Sequence, residues 1–294
     1  MAAGAHVQAP TPKPIVKWAG GKSRLLPELR ARLPGSIRTY AEPFAGGAAL
    51  FFALAGEKLA NRRDGRTYER AILADRNEDL VACYRAVRDE VDDLIDELGR
   101  YRYDADLFYE TRELDPTGMS DVERGARLIF LNRTCFNGLW RVNASGKFNV
   151  PFGRHTNPRI LDVAGLRAAS RALEGVELEV SDFLAIVRHL GKGDFVYFDP
   201  PYVPVSETAD FTSYASGGFG RRDQERLASE FAALRDRGAL AMLSNADTDE
   251  TRELYADFAV YVVRAPRFIN SDPTKRGDTN ELLVLSWERP GIYE

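Results

Sequence analysis

Short apolar runs alternate along this chain with amphipathic stretches of helical period. Phe195-Val196-Tyr197-Phe198 is apolar and aromatic without interruption, which predicts a strand buried on both faces. Tyr40 to Phe44, Ala71 to Ala74, Val176 to Val180 and Ala239 to Ser244 read as further strands, and Phe258 to Val263 with Leu282 to Ser286 as an antiparallel edge pair. Between them, Ser23 to Leu33 places Leu25, Leu26 and Leu29 on one helical face with Ser23 as N-cap. Ala48 to Leu59 and the stretch from Val81 to Val87 onward are also helical in pattern. Strand, Gly46-Gly47 turn, helix and a strand ending at Asp75 make a βαβ unit of the nucleotide-binding kind.

From about residue 90 to 172 the pattern changes to helices interrupted by a polar loop, Phe136 to Pro158, longer than a mere connection requires. The expected organisation is therefore a tail over residues 1–13, one α/β domain formed by 14–88 and 174–294, and an inserted, mainly helical domain over 89–173. Asn143 to Gly146 has the composition of a turn between two short strands, so the insert is expected to carry a β-hairpin.

At 294 residues, with 44% hydrophobic and 29% charged positions, the chain has the composition of a globular protein with a sizeable core. No stretch reads as a membrane span or a secretory signal. Cys83 and Cys135 stand far apart and His6, His155 and His189 are scattered, so neither a metal site nor a Ser-His-Asp arrangement has material, and a reducing cytoplasm is the expected location. The net charge of −4 argues weakly against nucleic acid. Its distribution argues the other way: Arg124 to Arg159 holds Arg124, Arg127, Arg133, Arg141, Lys147, Arg154 and Arg159 without one acid, directly after an acid-rich stretch from Asp89 to Asp115.

Candidate chemistry sits at the ends of the predicted strands. After Phe198 comes Asp199-Pro200-Pro201-Tyr202, where two prolines stiffen the backbone and bring together a carboxylate, a carbonyl and a ring. Asp199 and the Pro200 carbonyl can each accept one N–H of an exocyclic amine, and Tyr202 can stack on its base; the alternative is a plain turn with a surface Tyr. Lys17 to Lys22 surrounds two glycines with Trp18 and Lys22 just before a helix, which suits an anionic group or is only a Gly-rich helix start. Glu42 to Gly47 has neither dinucleotide nor P-loop spacing, yet Gly46 and Gly47 let a ligand lie against the main chain. Asp75, about 30 residues beyond Gly46, is placed for a ribose or for a helix cap. Asp182 and Phe183 could flank an adenine, with Asp182 as a simple N-cap the alternative.

These segments, and above all Phe136 to Asn143 followed by Phe148 to Arg154, resemble the Dam-type (D12 class, α-group) DNA adenine-N6 methyltransferases over roughly Pro14 to Ser286. The resemblance implies a Rossmann-like methyltransferase sheet and an S-adenosylmethionine pocket. In that pocket Trp18 and Lys22 would lie by the methionine end, Phe44 and Gly46 at the first strand's end, Asp75 at the ribose, and Asp182 and Phe183 at the adenine. Asp199, with Pro200 and Tyr202, would serve the target base. The insert would read double-stranded DNA, commonly GATC in the family, through Leu139, Arg141, Pro151 and Arg154, with Phe136 wedged into the stack and Asn137 and Arg133 nearby. The family often has Tyr at the position of Phe136, and no role follows for Trp140. No metal is implied, and a cognate restriction endonuclease acting separately is one expected partner. Transfer to another amine or amide (RNA adenine, cytosine N4, protein Gln) and a silent DNA-binding relative are the competing readings.

Overall fold

The computed structural model describes residues 10–60, 67–143, 145–202, 218–266 and 278–293. Its centre is one eight-stranded sheet. β1 (Ile37–Glu42), β2 (Tyr68–Asp75), β3 (Glu177–Val180), β4 (Phe195–Phe198) and β5 (Leu240–Ala246) run parallel. β6 (Ala259–Pro266), β7 (Asp278–Leu285) and β8 (Gly291–Tyr293) complete it in the order β3-β2-β1-β4-β5-β7-β6-β8. The chain leaves β1 toward β2 and β3 on one side and returns to β4 and β5 on the other, so strand order reverses between β1 and β4. The crevice beyond the carboxyl ends at such a reversal is where open α/β sheets bind ligands.

The apolar run of β4 explains its central place. Phe195 and Tyr197 join the core on one face of the sheet, and Val196 and Phe198 join the core on the other. The Val196 and Phe198 face is covered by α8 (Phe183–Val187), through Ile186 and Val187, and by α9 (Arg221–Asp236), through Leu227, Phe231 and Leu234. The opposite face is covered by α2 (Ala49–Leu59) and α3 (Glu78–Asp89). Beyond these lie α4 (Val91–Leu98), α5 (Ala105–Glu113), α6 (Asp121–Thr134) and α7 (Val163–Leu173). Leu94, Phe108, Phe130, Trp140 and Phe148 belong to the same continuous core as Tyr40 and Phe51. The helices between residues 89 and 173 therefore pack into the same core as one face of the sheet.

Four local expectations need correction. Ser23 caps no helix: α1 (Leu26–Ala31) starts with Pro27 in its first turn, where a missing N–H costs nothing, and Leu25 precedes it without a side-chain cap. Thr11 and Pro12 already lie against Gly56 of α2, so the docked chain starts earlier than residue 14, while residues 1–9 of the expected tail lie outside the described ones. β6 and β7 do pair antiparallel, but β7 also pairs with β5 and is interior. Its run Leu282 to Leu285 is fully buried, as an interior strand requires, and β8 lies beyond β6. The hairpin around Asn143 and Gly146 is present, with Gly146 N–H donating to Asn143 O at 2.9 Å, Asn143 N–H to Lys147 O at 2.9 Å and Asn149 N–H to Arg141 O at 3.0 Å, but its arms, bridged at Val142 and Phe148, are too short to count as strands of a sheet.

Candidate active site

Asp199 follows β4 directly, and three elements supply its surroundings. Lys22 Nζ, from the segment before α1, is 2.7 Å from Oδ1, and Ser244 Oγ, from β5, donates to the same oxygen at 3.0 Å. Oδ2 accepts no hydrogen bond from the described residues. Lys22 is nearly enclosed, at 4% exposure, whereas the Asp199 side chain retains 21%, so the carboxylate is the member of the pair that faces outward. Lys22 Nζ also donates to Gly20 O at 2.6 Å and stands 4.9 Å from the centre of the Tyr202 ring. That ring is held at its far end by Tyr202 OH donating to Glu281 Oε2, 2.8 Å away on β7. The tetrapeptide's backbone is anchored by Gln224 of α9, whose Nε2 donates to Pro201 O, and Gln224 in turn accepts from Asn245 Nδ2.

Charge follows from this geometry. Burial pushes the Asp199 carboxyl up, and the Lys22 charge and the Lys22 and Ser244 hydrogen bonds act against that push. Burial alone would lower Lys22, but Asp199, Tyr197 and Glu281 outweigh it and raise the ammonium above its ordinary value. The cation therefore stays charged and opposes the rise that burial imposes on the carboxyl.

The cofactor-side residues lie along β1, β2 and the turn before α8. Asp75 is not the cap of α3; Asn77 is, accepting from Leu80 N–H. Asp75 instead accepts from Gly46 N–H on one oxygen and Asn77 N–H on the other, which fixes it at the mouth of the β1 turn. Gly46 has φ +46°, and a Cβ there would stand 2.7 Å from the Trp18 ring, so both the turn and the packed indole exclude a side chain. Phe183 is fully buried, stacked on Phe44 at 5.4 Å between ring centres. Phe219 stands edge-on to Phe44 and the Arg226 guanidinium lies over Phe183. Asp182 takes the N-cap alternative: it accepts from Leu184 N–H and pairs with Arg76 and Arg226. Glu42 is enclosed at the end of β1, accepting from Tyr40 OH and Phe51 N–H, and burial pushes its carboxyl up to about 8.

The expected DNA-reading segment is sorted by the structure into inward and outward residues. Phe136 is half exposed at 52%, and Asn137, Pro151 and Arg154 are exposed; Asn137 adopts a left-handed conformation, φ 56°. Leu139 is half-buried, and Arg141 Nε donates to Asn149 Oδ1 at 2.9 Å, tying the two arms of the turn. Trp140 points the other way: it is 2% exposed, stacks on Trp18 and packs on Phe148. Arg133 is half-buried, and its guanidinium donates to Ile15 O at 2.6 Å. The acid-free run also loses its first members in space. Arg124 is paired with Glu78, and Arg127 is buried and donates to the carbonyls of Thr111 and Arg112. Acids distant in sequence return through α3.

Both cysteines are buried thiols pushed up to about 12, so neither is a ready nucleophile. Among the described residues no helix is long and apolar enough to cross a membrane. Ser244, Tyr197, Glu281 and Gln224 escaped the sequence reading. Only the polar Ser244 and Asn245 at the end of an apolar run could have marked them.

A mostly parallel sheet with this reversal, and a buried ion pair and aromatic ring at its crevice, is the architecture of an α/β enzyme with its ligand site at the carboxyl ends of its strands. The chain belongs to the D12 class of N6 adenine-specific DNA methyltransferases, whose family description matches residues 18–269, and methyl transfer to adenine N6 in DNA is its activity. It is 39% identical over 294 aligned residues to the type II methyltransferase M.MjaIII of Methanocaldococcus jannaschii, covering 94% of this chain and 99% of that one. It is 38% identical to the type II methyltransferase M1.LlaDCHI of Lactococcus lactis subsp. cremoris, covering 94% and 95%. Identity to the DNA adenine methylase of Escherichia coli K12 is 32%, covering 95% and 96%.

Proposed function

We propose that this enzyme methylates the adenine of GATC after turning it out of the duplex, with S-adenosylmethionine as donor. The carrying observation is that Lys22 and Ser244 both bind Asp199 Oδ1, which leaves Oδ2 to receive one amine N–H while the neighbouring Pro200 carbonyl receives the other. Adenine N6 is a poor nucleophile because its lone pair is delocalised into the ring. Two acceptors favour a pyramidal nitrogen whose lone pair is aimed at the methyl group, and such positioning is worth several kcal/mol. Asp199 is too weak a base to deprotonate the neutral amine first. It stabilises the positive charge that develops there, and the proton leaves after transfer. Tyr202, held by Glu281 and flanked by Lys22, offers its ring to the extruded base for about 1–3 kcal/mol of stacking.

The residues present fit the donor. Asp75 offers a carboxylate at the mouth of a glycine turn for a ribose diol, and the turn after β1 and the start of α2 offer close main-chain approach. Phe44 and Phe183 offer an aromatic wall, which a base enters by displacing their present packing partners. S-adenosylmethionine, when bound, supplies an electrophilic methyl group on a sulfonium. Trp18 and Lys22 lie on the side of the β1 turn where its amino-acid end would be held.

The segment 89–173 is proposed as the target-recognition part. Phe136 would act as the wedge with Asn137 beside it, and Leu139, Arg141, Pro151 and Arg154 as base contacts. A cytoplasmic setting, and a cognate endonuclease acting separately, belong to the same reading; the two type II relatives support the latter. Incubation with methyl-labelled cofactor and duplexes differing only in GATC against GTAC tests the proposal. Label on the GATC duplex alone, recovered as N6-methyladenine, is expected; label on both overturns the site assignment.

A further inference from the structure

Ser244 is fully buried in the middle of the sheet, where a hydroxyl is costly unless it is hydrogen-bonded. Its hydroxyl is engaged on both sides. Tyr197 OH, on β4, lies 2.9 Å from Ser244 Oγ, and Ser244 Oγ donates to Asp199 Oδ1 at 3.0 Å. With Ser244 donating forward, Tyr197 is the donor behind it, so the two hydroxyls form a one-way chain ending on the carboxylate. The parallel register of β4 and β5, Phe198 opposite Leu243, brings residue 244 beside residue 199. Lys22 binds the same oxygen from outside the sheet. A carboxylate held at one oxygen by donors from two directions cannot swing about its terminal bond without losing one of them.

We infer that Ser244, backed by Tyr197, is a positioning residue for methyl transfer, fixing the Asp199 rotamer so that Oδ2 meets the target amine. This rests on the reading of Asp199 as the acceptor for that amine. No bond forms or breaks at Ser244, and no proton passes through it. Its effect falls on the chemical step and not on either ligand's binding, since the hydroxyl is enclosed behind Asp199. The carboxylate is also faced by Lys22 before α1, Glu42 on β1, Glu281 on β7 and Tyr202, and the Ser244 hydrogen bond is one of the influences that hold its proton affinity down. Losing it moves the acid limb of the rate profile to higher pH.

The test is single-turnover methylation with saturating S-adenosylmethionine and GATC duplex, together with the dissociation constants of both and a pH profile. Ser244→Ala is expected to slow the chemical step by about 10- to 100-fold, the size of a hydrogen bond to a charged group, with both dissociation constants within about threefold of the parent. Ser244→Thr, which restores the hydroxyl, should recover most of the rate. Should Ser244→Ala melt early, Tyr197→Phe carries the test: it removes one oxygen from a ring that keeps its packing and should slow the step several-fold with the same shift of the acid limb. Parent rates and an unmoved pH profile in a folded Ser244→Ala or Tyr197→Phe would overturn the inference, as would loss of rate equalled by loss of binding. An Asp199→Ala control keeps the two ideas separate: an active control sinks the reading of Asp199 itself, whereas an inactive control with a fully active Ser244→Ala sinks only this inference.

Discussion

Trp18 and Trp140 lie stacked, their ring centres 6.3 Å apart and their planes 18° from parallel. One indole stands over the glycine turn of β1 and the other comes from the middle of the proposed DNA-reading segment, so the two proposed ligand sites share a packed aromatic contact. Trp140→Ala should cost about 3–5 kcal/mol of stability, as large aromatic truncations in cores do, and weaken cofactor binding as Trp18 loses its support. Trp140→Phe should keep most of both. Thermal unfolding and calorimetric titration with S-adenosylhomocysteine check the two effects separately.

Asp199→Ala should abolish methylation, by at least about 10²-fold, through loss of the acceptor. It also leaves the buried Lys22 ammonium without its partner, so stability should fall by a few kcal/mol, and Lys22→Met in the same background should recover part of that loss without recovering activity. Urea unfolding of the single and double variants measures it. Equal stability of the two would mean that the pair contributes nothing to the fold.

Glu42 supplies a pH dependence with a definite sign. Its carboxyl is raised to about 8 by burial, so the folded protein holds a proton that the unfolded chain releases near the ordinary Glu value. This contribution is fully present below that ordinary value and is lost as pH rises through about 8. Glu42→Gln keeps an oxygen for Tyr40 and Phe51 N–H and removes the titration, so its melting temperature should decline less than the parent's between pH 5 and pH 9. Parallel melting curves against pH would show that Glu42 is ionised throughout.

Two arginines eight residues apart should behave differently. Arg141→Ala, which removes an outward group next to the turn, should relax sequence choice and raise methylation of near-cognate duplexes relative to GATC. Arg133→Ala should leave that ratio unchanged and lower stability, because its guanidinium is bonded to the backbone of Ile15. Competition between duplexes in one reaction measures the ratio directly.

The strands and their order of chemistry could be read from the chain because buried parallel strands announce themselves as apolar runs and the functional carboxylates terminate them. Asp75 and Asp199 both stand where such runs end. What escaped was whatever depended on neighbours distant in sequence. Arg127 reads as part of a basic surface until Thr111 and Arg112 enclose it, and Asp182 reads as a ligand contact until Arg76 and Arg226 claim its oxygens. Ser244 looked like an ordinary strand residue because its meaning lies in a partner 45 positions away. The ends of α1 were missed for a simpler reason, since a serine before a leucine-rich stretch is only a cap when the backbone places its oxygen over the first turn.

Asn132, wholly enclosed, accepts from Lys17 N–H and donates to both Lys17 O and Gly138 O, imitating with one side chain the edge of a strand. At Gly138, where φ is +66°, a Cβ would stand 2.6 Å from the Lys17 side chain, so the loop packs directly on that side chain. On the proposed reading, the DNA-reading loop is thus not a detachable cassette. A hybrid that imports a foreign reading loop at the end of α6 would have to import the matching residues 15–18 with it. The natural unit for exchanging target sequences between relatives is accordingly discontinuous, a short amino-terminal strap together with the loop it clasps.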